Sequence, residues 1–198
     1  MKKIIGVFIS LVLLLVIINF LGGYLPYAGA YNKLRTADCL ITEVQGEEVT
    51  YKLKVDTDIF VYKEVHDVKT EKYMTLIRQE DDGIYRKYTN NDYDTQGMEV
   101  ARNGNEFSDY WMGVINVPSP SELNVTFFQG QKCWSTARIF EVLFSKDESL
   151  LLENYKFVYL NEDGNIDKID DYKRHITFQY DAFDPYVIDA LQRFKQQV

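Results

Sequence analysis

Residues 4–21, from Ile4 through Leu21, carry no charged side chain, and only Ser10 and Asn19 interrupt an otherwise apolar or glycyl run. Water is the wrong solvent for such a segment, so it predicts membrane insertion. As a helix, eighteen residues extend about 27 Å at roughly 1.5 Å each, close to the hydrocarbon thickness of a bilayer. That is longer than the roughly 7 to 15 apolar residues of a cleaved signal. Gly22-Gly23 then interrupts the helix, and Ala28-Gly29-Ala30 offers the small-x-small pattern that signal peptidase reads. Two readings follow: residues 1–30 are an uncleaved signal anchor, or a signal peptide removed near Ala30. Lys2 and Lys3 precede the run, and the positive-inside bias holds them in the cytoplasm. In both readings residues 31–198 are a single extracytoplasmic domain, either single-pass and membrane-bound or secreted or periplasmic. No Cys directly follows the run, which disfavours a lipoprotein anchor.

Composition narrows the rest. With 11 Gly, 4 Pro, 2 Cys and 15% aromatic residues among 198, the chain is neither collagenous, disulfide-dense nor disordered. The formal net charge is −8, and the first thirty residues contribute two Lys and no acid, so the domain itself is more acidic still. Phosphates repel such a surface, which argues against nucleic acid and against anionic headgroups as partners. Cys39 and Cys133 sit in a compartment that permits oxidation, so a disulfide is expected, with two buried free thiols as the alternative.

Val49, Tyr51, Leu53 and Val55 alternate with Thr50, Lys52, Lys54 and Asp56, the period of a strand with one wet face. Cys39–Val44 precedes it across Gly46-Glu47-Glu48. Further strands are predicted at 59–62, 73–79 and 84–89, the last two joined by Glu80-Asp81-Asp82-Gly83. Residues 90–122 read as long loops with at most a short element. Strand character returns at 123–129, and Ser135–Ser145 suits a helix or a strand. A hairpin follows at 155–160 and 166–169 around Asn161–Asn165, then a strand at 175–180 with Ile176, Phe178 and Tyr180 on one face. Asp184 and Pro185 open a last helix with Val187, Ile188, Leu191 and Phe194 as its apolar stripe. The expected fold class is α+β, mainly β: a strongly curved antiparallel sheet or partly closed barrel of about eight strands with a C-terminal helix.

No motif fixes a reaction. Asp92–Gly97 begins like a calcium loop, but Asn103 occupies the position of the bidentate Glu, so no metal is expected. His66 beside Asp67, and His175, are the available general bases, without a nucleophile elbow or Ser-x-x-Lys to accompany them. No catalytic residue and no cofactor is assigned. Tyr110, Trp111, Phe128 and Trp134 lie in the irregular middle of the chain, where aromatic side chains line pockets or interfaces, and are the candidate ligand-binding residues. The sequence therefore predicts a non-enzymatic envelope module that binds a protein partner. The alternative is a carrier or sensor of an apolar small molecule in a curved-sheet cavity.

Overall fold

Alternating apolar and polar residues make strand after strand from Cys39 onward, and left-handed turn residues join them. A computed structural model describes residues 7, 9–14, 17, 20–65, 71–90, 97–145, 147–171 and 174–198. Among these the strands are β1 (Cys39–Gln45), β2 (Glu48–Val55), β3 (Asp58–Val65), β4 (Glu71–Gln79), β5 (Tyr85–Thr89), β6 (Met98–Ala101), β7 (Asn124–Phe128), β8 (Gln131–Ser135), β9 (Phe157–Leu160), β10 (Ile166–Asp171) and β11 (Arg174–Gln179). They form one antiparallel sheet in the order β6-β5-β4-β3-β2-β1-β11-β10-β9-β8-β7. The sheet is two meanders joined where the first strand pairs with the last, Ile41 opposite Phe178. It is open, with β6 and β7 as edges.

Helices that pack with it, among the described residues, are α1 (Leu25–Thr36), α2 (Gly104–Ile115), α3 (Ile139–Phe144), α4 (Glu148–Asn154) and α5 (Pro185–Lys195). One face of the sheet receives α1 and α2, so that Tyr27, Ala30 and Leu34 share a core with Phe107, Trp111, Ile41, Ile59, Trp134 and Phe178. The other face carries α5 over Leu53, Phe60 and Leu76. Beyond a gap, α4 covers Cys133, Phe157 and Tyr159 on the same face. The C-terminal helix forms as expected: the Asp184 side chain accepts from the Tyr186 amide, and Val187, Leu191 and Phe194 are buried. The 155–169 hairpin also forms, with Gly164 at φ 71°.

Several expectations are corrected. Among the described residues there are eleven strands where about eight were expected: β6 lies in a stretch read as loop, and Gln129 and Gly130, both at positive φ (50° and 77°), turn the chain back into β8. The 90–122 stretch contains β6 and a twelve-residue helix, α2. Asn103, read as loop punctuation, is its N-cap, accepting from the Asn105 and Glu106 amides, and Asn116 ends it in the left-handed region at φ 53°. Ser135 does not cap a helix; it ends β8 and accepts the Ala137 amide at 3.0 Å, and α3 begins four residues later.

The expected disulfide is absent: Cys39 and Cys133 are both free and buried. Four inter-strand steps separate β1 from β8, roughly 19 Å, whereas a bridge needs Cα atoms within about 7 Å. The two thiols also belong to cores on opposite faces of the sheet.

Much of the run 4–21 lies outside the described residues. Those that are described are helical: 7, 9–14 and 17 in α-helix, and 20 and 21 in a π-helical turn that continues to Tyr24. No helix among the described residues is long and apolar enough to cross a membrane. The 30/31 boundary expected from sequence falls inside α1.

Candidate functional site

The four aromatic candidates do not converge. Trp111 is fully buried and donates Nε1 to the Leu34 carbonyl at 3.0 Å, tying α2 to α1. Trp134 donates to the Gly23 carbonyl at 2.6 Å and stacks on Tyr27 with centroids 6.1 Å apart. Tyr110 packs half-buried against the same core, and desolvation raises its phenol pKa. Phe128 belongs to the opposite face, stacked on Phe157 at 4.2 Å. Three of the four therefore stitch helices to the sheet, and Phe128 alone borders an open cleft. Each indole finds a carbonyl, as a buried N–H requires. Every buried side-chain polar atom among the described residues has a partner.

That cleft encloses about 650 Å³. Its floor is β10 and β11, where register sets Lys168 opposite Thr177 and Asp170 opposite His175. Residues directly opposite in an antiparallel pair point to the same side. Its wall is Ser149 and Leu152 of α4, and its rim is Phe128 and Gln129. Lys168 Nζ lies 3.1 Å from Asp170 Oδ2 and 4.3 Å from the Tyr159 ring centroid. His175 Nδ1 lies 3.3 Å from Asp170 Oδ1, yet the His175 side chain is 80% exposed.

The cleft opens onto a longer trough, because the helices on this face stop short of one another. His175, Thr177 and Gln179 of β11 are all exposed, although β11 is internal to the sheet. On β1, Val44 opposite His175 is exposed and Thr42 opposite Thr177 is half-buried. The alternation that buries Ile176 and Phe178 on one side puts these polar residues on the other. The signal was present in the sequence, but only the gap between α4 and α5 shows that no helix covers them. The trough offers donors, acceptors and both charges, with Phe128 and Gln129 at its rim.

On the opposite face, Glu43 meets Lys52 at 2.8 Å and Arg174 at 3.1 Å, and Arg174 also meets Asp171 at 2.8 Å. Burial pushes the Glu43 carboxyl up, but bonds from Lys52 and Arg174 outweigh it and hold it below the usual range. This cluster borders a cleft of about 700 Å³, and its two cations and two anions compensate one another. No group of three or more His, Cys, Asp or Glu side chains among the described residues is placed to hold a metal. His66 and residues 92–96 of the 92–97 loop lie outside the described residues. Comparison with protein-family models, with curated proteins and with solved structures finds no match.

Proposed function

We propose that the protein is a membrane-tethered extracytoplasmic module that binds a protein partner along the β10–β11–β1 trough and performs no catalysis. One observation carries this reading: the side of the sheet where a small molecule would lodge is occupied by the chain's own α1 and α2, with Tyr27, Leu34 and Trp111 almost wholly buried there. The other side leaves an internal strand bare. Laid flat, the eight steps from β5 to β8 span roughly 38 Å. Two neighbouring helices cover roughly 20 Å, yet a single apolar core runs from Tyr85 and Ala101 to Trp134. The sheet is therefore read as curled around its own helices. A carrier of an apolar molecule would have to displace them and expose that core.

The tether is read as uncleaved. Ala28-Gly29-Ala30 is helical, and Ala30 is 1% exposed within the core. Removing residues up to Ala30 would delete Tyr27, whose hydroxyl donates to the Pro118 carbonyl at 2.7 Å, and both glycine carbonyls that Lys132 and Trp134 hold.

Site-specific photo-crosslinking in cells making the full chain tests the docking surface. A photoreactive side chain at Thr177 or Gln179 should give one discrete protein adduct that the same probe at Asp81, on a distant turn, does not give. The adduct should weaken when Lys168→Glu and His175→Glu are combined. Equal labelling from all three positions, or none from the trough, would overturn the proposal.

A further inference from the structure

Around edge strand β7 two large apolar side chains stand in solvent. Phe127 is 66% exposed, and Leu143 of the neighbouring α3 is 65% exposed. In the sequence of α3, Ile-Phe-Glu-Val-Leu-Phe, only Glu141 is polar, while Val142 packs inward against the Cys133 core. Phe127 shares the Trp134 face of the sheet and α3 packs on the Cys133 face, so Phe127 and Leu143 flank the β7 edge from its two sides; exposed apolar side chains gathered at one edge mark an interaction site.

What covers this edge follows from where the apolar run joins the domain. Gly22 directly follows that run, and its carbonyl accepts from Lys132 Nζ at 2.7 Å. Phe127 is the cross-strand partner of Lys132, about 5 Å away on the same side of the sheet. Leu21, Tyr24 and Leu25, on either side of Gly22, are themselves exposed. If residues 4–21 lie in the bilayer, Gly22 stands at its surface, and so do Lys132 and Phe127. A Lys whose ammonium lies 5.0 Å from the Trp134 ring centroid, with Phe127 opposite it in the sheet, matches the chemistry of the headgroup zone.

We infer that the β7 edge, through Phe127 and Leu143, is a membrane-contact surface that dips into the headgroup layer beside the anchor. It would hold the domain in one orientation relative to the bilayer. The inference rests on the tethered reading above, and the test separates the two.

The full chain, reconstituted in vesicles of phosphatidylcholine, would carry a single nitroxide on Phe127→Cys, Leu143→Cys, Leu13→Cys or Thr177→Cys. Cys39 and Cys133 are buried and compete poorly for the label. Collision with oxygen reports the lipid phase, and collision with a nickel chelate reports water. Labels at 127 and 143 should show several-fold less contact with the chelate than the label at 177, and the label at 13 should be the most lipid-exposed. A lipid-embedded label at 13 with aqueous labels at 127 and 143 would overturn this surface and leave the tether standing. An aqueous label at 13 would overturn both.

Discussion

Trp134 Nε1 donates to the Gly23 carbonyl at 2.6 Å across 111 residues of chain. The bond joins the segment that leaves the apolar run to β8, near the far edge of the sheet, and it is buried. Trp134→Phe keeps most of the ring and removes the donor, leaving that carbonyl dry and unpaired. The variant should lose about 1 to 3 kcal/mol, read by urea unfolding of the full chain in mild detergent. An unchanged midpoint would mean that this contact does not hold the segment in place.

If α1 belongs to the core, two neighbouring substitutions on it should behave very differently. Leu34 is fully buried, so Leu34→Ala should cost about 2 to 5 kcal/mol. Arg35, paired with an exposed Asp109, should cost no more than about 1 kcal/mol as Arg35→Ala. Equal, small effects would show α1 to be an appendage.

Glu64 sits beneath α5, accepting from the hydroxyls of Tyr62 and Tyr186 and 3.2 Å from Lys72 Nζ. Burial pushes its carboxyl up, but those bonds outweigh burial and hold its pKa below the ordinary value. A carboxyl whose folded pKa is lowered contributes stability that is complete above the unfolded value of about 4.3 and is lost as pH falls through the lower folded value. Glu64→Gln should therefore be less stable at neutral pH and show a shallower acid limb below about pH 4.3. Thermal unfolding as a function of pH reads both effects, and parallel curves would contradict this account.

The cysteines give a direct chemical test. Burial pushes the Cys39 thiol up to about 12 and the Cys133 thiol up to about 11, so neither forms thiolate at neutral pH. The native chain should resist iodoacetamide, and the unfolded chain should take up two labels without any reductant. Labelling that appears only after reduction would show that the pair is oxidised.

The period-two alternation made most of the sheet legible, together with turn residues such as Gly46, Gly83 and Gly164 at positive φ. The C-terminal helix was legible from Asp184-Pro185 and its stripe. What escaped was long-range or ambiguous. Asn103 is equally a turn residue and an N-cap, and only the spacing of Phe107, Trp111 and Ile115 along one helical face separates the two. The pairing of β1 with β11 decides that Cys39 and Cys133 lie on different faces, and no local pattern encodes it. The aromatic candidates failed for a related reason: a Trp in an irregular stretch can line a pocket or fill a core, and here Trp111 and Trp134 fill one. His175 was legible as a residue but not as part of a trough, because its surroundings come from β10 and α4.

The account turns on whether the chain keeps the segment before Tyr31, and intact mass spectrometry of the protein extracted from membranes of cells that export it measures this. The predicted result is a mass that includes the apolar run and all of α1, recovered from the membrane fraction. A soluble species whose mass begins at Tyr31 would contradict it, because the core would then lack Tyr27 and the carbonyls that hold Lys132 and Trp134.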